Sequence, residues 1–234
     1  MPHRIKLWVS FAFIPVLVAG VFFISDRLLP HPRRGLVGWW KFDEGAGPTA
    51  GDSSGNGRTG TLMNGATWTA GKIGEAVNLD GMDGRVEITG DPLGTGAMTF
   101  SAWIYARSFS DTPVIVSSGV YPDTQLYVDP NINNALCFTN DGATTAISDA
   151  IQLNTWLHIV VVRNASNQIT FYVNGVQSRT ANQTVGTPTG GTTQNVIGDR
   201  SVGGGHPFNG IIDDVRIYNR ALTATDIQAL YNSP

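Results

Sequence analysis

The sequence predicts an all-β protein: a two-sheet antiparallel sandwich with one short C-terminal helix, preceded by an N-terminal transmembrane helix. Three observations predict it. Glycine is abundant at 28 of 234 residues while charged residues make up only 14%, and Glu and Lys, two mainstays of helices, occur three times each. Short runs rich in β-branched and aromatic residues recur along the chain, separated by Gly, Asn, Asp, Pro and Thr. The first 25 residues instead hold an uninterrupted apolar stretch.

That stretch, Leu7–Ile24, contains no charge. As a helix it would extend about 27 Å, close to the thickness of a bilayer core. A cleaved signal peptide has a shorter apolar region followed by a small-x-small site. Here the best small pair, Ala19-Gly20, lies inside the run. Residues 1–25 therefore read as an uncleaved anchor, with secretion after signal cleavage as the alternative. Residues 26–35, with "LLPHPRRG", read as a stiff linker. Residues 36–234 form one extracytoplasmic domain on this reading.

Within the domain, "LVGWWKF", "AVNL", "RVEIT", "MTFSAWIYA", "PVIVSS", "QLYVD" and "ALCFT" read as strands, followed by "WLHIVVVR", "QITFYVN", "NVIG" and "IIDDVRIY". Asn174-Gly175 sits between two strand-like runs and predicts a two-residue hairpin turn. "WLHIVVVR" is apolar on both parities, as expected of a central strand covered on both faces. In "LTATDIQALY", Thr223 and Asp226 stand three apart as a capping box, and Ile227, Leu230 and Tyr231 follow at helical spacing. That helix would cover a sheet.

Charge narrows the function. Five of the fifteen basic residues and one of the eighteen acids precede Gly35, which leaves ten basic and seventeen acidic residues, a net −7, for the domain. Such a body lacks the basic footprint of a nucleic-acid binder. Cys137 is the single cysteine, so no intrachain disulfide forms. With one Cys and scattered His, zinc is disfavoured.

The front "GLVGWWKFDEGAG…DSSGNGRTGTLMNGATWTAGKIGEAVNLDGMDGRVEI", the middle "MTFSAWIYA" and "NTWLHIVVVRN…ITFYVNGV", and the end "FNGIIDDVRIYNRALTATDIQALY" together resemble the laminin G-like domains of the concanavalin A-like lectin/glucanase superfamily. The resemblance spans residues 36–232. It implies a jelly roll whose first and last strands are neighbours, with a calcium ion often bound near them. It does not select one function, because lectins, adhesion modules and glycosidases share this architecture.

"GDSSGNGRTG", residues 51–60, contains no apolar side chain. Asp52, Ser54 and Asn56 alternate in it, a spacing that can wrap a hard cation. Counting parity from "GIIDDVRIY" puts Asp213 on one face with Ile211, Val215 and Ile217. Counting from "LVGWWKFDE" puts Glu44 at the end of a face shared by Leu36, Trp40 and Phe42. A carboxylate aimed at a core is costly unless paired, hydrogen-bonded or metal-bound. Asp52, Asn56 and Asp213, with Glu44 and the carbonyl region of Gly57, are thus candidate ligands of a structural Ca²⁺. The alternative is that backbone N–H groups satisfy the carboxylates.

No catalytic motif emerges. The glucanase branch uses Glu-x-Asp-x-x-Glu on one strand, which is absent here. His158 reads as a core histidine and His206 as a loop residue. The expectation is a non-enzymatic module that binds a polysaccharide or glycoconjugate. Tyr121 and Tyr127, beside loops, are the candidate platforms. An adhesion module that meets a protein partner is the alternative, and a glycoside hydrolase a further one. The membrane partner would be engaged through residues 7–24.

Overall fold

The structure is a computed structural model describing residues 33–118, 124–140, 145–178, 182–187, 195–200 and 205–232. In chain order the strands are β1 (Leu36–Trp40), β2 (Thr49–Ala50), β3 (Gly60–Met63), β4 (Thr67–Ala70), β5 (Glu75–Asp80), β6 (Arg85–Ile88), β7 (Met98–Ser108), β8 (Val114–Ser118) and β9 (Thr124–Asp129). They continue as β10 (Ala135–Thr139), β11 (Thr145–Ala150), β12 (Trp156–Arg163), β13 (Gln168–Val173), β14 (Val176–Gln177), β15 (Gln183–Thr184), β16 (Asn195–Ile197) and β17 (Asn209–Tyr218), and the helix α1 (Ala224–Asn232) follows.

Among the described residues these strands form two antiparallel sheets. One has the order β14-β13-β12-β7-β17-β5-β4, with β1 also on β17 and β15 on β13. The other runs β11-β10-β9-β8-β16-β6-β3-β2. The expected all-β sandwich is therefore present, and its first and last strands pair. The anchor segment Leu7–Ile24 lies outside the described residues. Among those described, no helix is long and apolar enough to cross a membrane.

Strand alternation builds the core between the sheets. Phe100, Ala102, Ile104 and Ala106 of β7 face inward with Leu126 and Val128 of β9, Phe138 of β10 and Phe171 of β13. Trp40 and Phe42 are fully buried there. A second apolar layer lies outside the first sheet. Val160 and Val162 of β12, Tyr172 and Tyr218 pack under Leu222, Ile227 and Leu230. This explains why β12 is apolar on both parities: one face fills the sandwich and the other carries α1.

The helix begins as its sequence dictates. Thr223 Oγ1 accepts the Asp226 N–H at 3.2 Å, and Asp226 Oδ2 accepts the Thr223 N–H at 3.0 Å. The Asn174-Gly175 turn is also present, with φ of 51° and 77°, the left-handed pair a tight hairpin requires.

Parity counting fails where strands bulge. The β17–β7 register slips between Asp213 and Arg216, and Asp214 has φ 46°. Ile212 and Val215, three apart, both point into the core. Asp213 therefore lies on the outer face beside its cross-strand partner Trp103, not on the face of Val215 and Ile217. A second slip between Leu36 and Gly38 turns Leu36 outward onto the layer under α1. Glu44 does not extend the buried face either; it is exposed, beyond the left-handed turn at Phe42 (φ 60°).

Candidate functional site

The outer face of the second sheet has no helix upon it among the described residues. On β9, Leu126 and Val128 go inward, so Gln125, Tyr127 and Asp129 point the other way. Register sets Tyr127 against Cys137 and Gln125 against Thr139, and Thr139 against Thr145. Two loops rise beside this surface. The loop before β8 brings Asp111 and Thr112, and the segment after β16 brings Arg200 and His206.

Together they enclose a polar cleft. One hollow of about 260 Å³ is lined by Thr112, Gln125, Tyr127, Asp129, Thr139, Thr145, Arg200 and His206. An adjoining one of about 510 Å³ is lined by Asp111, Thr112, Pro130, Asn131, Gly205 and His206. Thr112 and His206 are common to both.

Buried groups hold the walls. Asp199 is fully buried, and its Oδ1 accepts the N–H of Arg200 at 2.6 Å and of His206 at 3.0 Å. Ser117 Oγ donates to the Asp199 carbonyl at 3.1 Å and also to that of Arg200. His206 Nδ1 lies 2.7 Å from the Asp111 carbonyl and 2.9 Å from Thr112 Oγ1. A carbonyl only accepts, so Nδ1 carries a proton, and in the neutral ring Nε2 is the acceptor. Asp111 and Thr112 are consecutively left-handed, with φ 56° and 52°. For a β-branched Thr that conformation is strained, and such strain persists where surrounding contacts impose it. Across the cleft, Asn133 and Asn134 repeat the pattern at 52° and 56°. Asp129 Oδ1 accepts both N–H groups of Asn131, from the backbone at 2.8 Å and the side chain at 3.2 Å, and so caps the turn over 130–132.

Tyr127 is half-buried. Burial pushes its phenol above the ordinary value, partly offset by a hydrogen bond with Thr145. Its neighbour Cys137 is pushed up to about 12, by burial first and by the Asp129 charge second, so it is an inert thiol. The cleft thus offers one ring face, a guanidinium, an imidazole acceptor, an amide, hydroxyls and carboxylates. These are the groups that hydrogen-bond a polyhydroxylated ligand.

Tyr127 is where the sequence placed a binding aromatic; Tyr121 lies outside the described residues. Asp111, Thr112, Gln125, Asp129, Asn131, Thr139, Thr145, Arg200 and His206 were not singled out for binding. The polar parity of "QLYVD" was the one signal that could have found some of them.

The calcium candidates fall into two places. Asp52 Oδ1 accepts the N–H groups of Trp39 and Ser54 at 3.0 and 2.8 Å, and Oδ2 that of Arg58 at 3.0 Å. Burial alone would raise the Asp52 pKa, but a hydrogen bond from the Ser54 side chain and those from the three backbone N–H groups outweigh it and hold the carboxyl below its usual range. Glu44 reaches the same loop through the Gly51 N–H at 2.8 Å. Asn56 Nδ2 donates to the Leu36 carbonyl and Ser54 Oγ at 3.3 and 3.0 Å, and Gly57 turns with φ 71°. Asp213 instead engages another segment, through the Ile73 N–H at 2.9 Å to Oδ2. Burial pushes Asp213 up to about 7, with the Ile73 bond opposing and the Asp214 charge adding. Among the described residues no three His, Cys, Asp or Glu side chains gather into a metal-holding group. The set does not fit a Ca²⁺ cage, which needs six to eight converging oxygens.

Comparison with known proteins agrees with the fold. A family model described as the concanavalin A-like lectin/glucanases superfamily matches residues 80–228. No curated protein matches. Among solved structures, domain 4 of AbnA, a GH43 extracellular arabinanase from Geobacillus stearothermophilus in complex with arabinotriose, has a TM-score of 0.68 at 22% identity. That likeness covers 84% of this chain and 98% of that one. The binding domain of Paraclostridial Mosquitocidal Protein 1 has a TM-score of 0.66 at 18% identity, covering 86% and 53%. Trypanosoma rangeli sialidase in complex with the inhibitor DANA has 0.62 at 18%, covering 84% of this chain but 32% of the sialidase. At these identities the likeness is one of fold. With its family model matched over more than half its length, the chain belongs to the concanavalin A-like lectin/glucanases superfamily.

Proposed function

We propose that the chain is a carbohydrate-binding module, tethered outside the cytoplasm by its apolar N-terminal segment, whose ligand lies in the cleft over Tyr127. The observation that carries this reading is the make-up of that cleft: one half-buried ring among hydrogen-bonding groups held by strained loops and a buried carboxylate. Sugars are recognised in this way, by an apolar ring face and a few fixed polar partners. The arabinotriose complex of a domain with this fold supports an oligosaccharide as the first ligand to try.

The module acts without catalysis on this proposal. Asp129 spends one carboxylate oxygen on two N–H groups, a structural role that ill suits a general acid. Loop 51–60 is tied to β1 by the Trp39 N–H on Asp52 and by Asn56 and Arg58 on the Leu36 and Val37 carbonyls. The deciding experiment is a glycan array with the full chain in detergent, repeated with Tyr127→Ala. Selective binding that the variant loses is the expected result. Equal binding to every glycan, or selective binding unchanged in the variant, overturns the proposal. Release of reducing sugar would transfer the chain to the glycosidases.

A further inference from the structure

A second surface, on β1, is not explained by folding alone. The half-buried indole of Trp39 is ringed by cations: Lys41 Nζ and Arg216 Cζ each lie 4.7 Å from its centroid and Arg33 Cζ 5.7 Å. Arg216 is paired with Asp214 at 2.9 Å, and Asp214 also accepts the Trp39 indole N–H at 2.6 Å. Two further guanidinium groups bind the same strand region. Arg58 donates to the Val37 carbonyl at 2.7 Å, and Arg220 to that of Arg34 at 2.8 Å. Of the carboxylates nearby, Asp214 is paired with Arg216 and Asp226 with Arg220 at 3.0 Å, while Asp52, held by three backbone N–H groups, keeps its charge. Arg33 and Lys41 are exposed. Five cationic side chains against these three carboxylates make a positive collar at the start of a domain that carries −7 from Gly35 onward.

We propose that this collar rests on an anionic lipid headgroup surface, with Trp39 at its centre. The inference builds on the anchoring of Leu7–Ile24 in a bilayer. Eight residues, 25–32, separate that segment from Arg33. A chain of that length spans at most about 28 Å. The collar is thus the part of the domain held nearest the membrane. Charge attraction to lipid fades over about 8 Å at physiological salt, so it acts only on groups kept that close. A Trp among Lys and Arg is the composition favoured at the interface. The acidic remainder of the domain is repelled by the same surface, which orients the domain collar-down.

The chain contains three lysines, Lys6, Lys41 and Lys72, which makes the test direct. Full-length chain is floated with vesicles of phosphatidylcholine alone, or of phosphatidylcholine with phosphatidylglycerol. Amine labelling of Lys41 relative to Lys72 is then read by mass spectrometry. Anionic lipid should slow Lys41 labelling about fivefold, the factor expected from one cation at such a surface. High salt or Arg33→Glu should restore it. Flotation on both vesicles with equal labelling overturns the collar and leaves the anchor standing. Flotation on anionic vesicles alone supports the collar and overturns the anchor, and flotation on neither overturns both. Equal protection by soluble polyphosphate without vesicles overturns lipid as the partner.

Discussion

The outer faces of the two sheets begin from the same alternation and end as opposites. On the first sheet the part of that face beneath α1 is sealed. Trp103 lies 5.1 Å from the His158 ring and stacks at 5.7 Å on Tyr231, while α1 covers Val160, Val162, Tyr172 and Tyr218. The seal leaves Trp103 Nε1, His158 Nδ1 and Asp213 Oδ1 buried with no hydrogen-bond partner among the described residues. On the second sheet the corresponding face presents Gln125, Tyr127, Thr139 and Thr145 to a cleft. The comparison teaches that the outward residues of a sandwich strand acquire their role from what lies over them. Beneath a helix they become core, and beneath two loops they line a cleft.

The largest break in this contrast comes from the sealed side. Ile227→Ala should cost about 2–5 kcal/mol of stability, because it empties a fully buried position under the helix. Urea unfolding measures the loss, and binding by the folded fraction should be unchanged. On the open side the effects should invert. Tyr127→Ala should weaken oligosaccharide binding about tenfold or more, roughly 1.4 kcal/mol, as titration calorimetry reads it. Its cost in stability should be smaller than that of Ile227→Ala, since Tyr127 is half-buried.

Titration sharpens the comparison further. Burial, helped by Arg216, depresses His158 to about 4. The unfolded chain thus binds this proton more readily, and stability from His158 rises with pH from about 4 to 6.5. Asp213 is raised to about 7. Its contribution is fully present below the unfolded value near 4 and is lost as pH climbs to about 7. The two oppose each other across most of that window, each at up to about 1.4 kcal/mol per pH unit. Asp213→Asn should therefore turn a nearly flat stability profile into one that rises from pH 4 to 6.5. A variant profile that stays flat would refute the assignment. The smallest expected effect is that of a chelator, which should leave the melting temperature unchanged because N–H donors already hold Asp52. A drop of several degrees would reinstate calcium.

Much of the fold was legible in the chain. Period-two runs, the Asn174-Gly175 turn and the Thr223–Asp226 box are local signals, and each formed the predicted element. The double-sided apolar character of β12 correctly announced a covered central strand. The site was far less legible. Tyr127 was chosen from its place beside a loop and lines the cleft, whereas His206 was read as a plain loop residue. Nothing periodic links His206 to Asp111, 95 residues earlier in the chain. Asp213 was placed on the wrong face because a bulge adds a residue to one strand only, and parity counted along that strand cannot register it.

Which segments extend, where they turn, how the helix starts and which side of most strands is apolar could all be read along the chain. These depend on backbone preferences and on side chains a few residues apart. Which outer face carries the helix, where Asp213 points and which loop groups meet over Tyr127 were set by the packed fold. Those depend on strand register and on contacts between segments distant in the chain, and register is a property of two strands together.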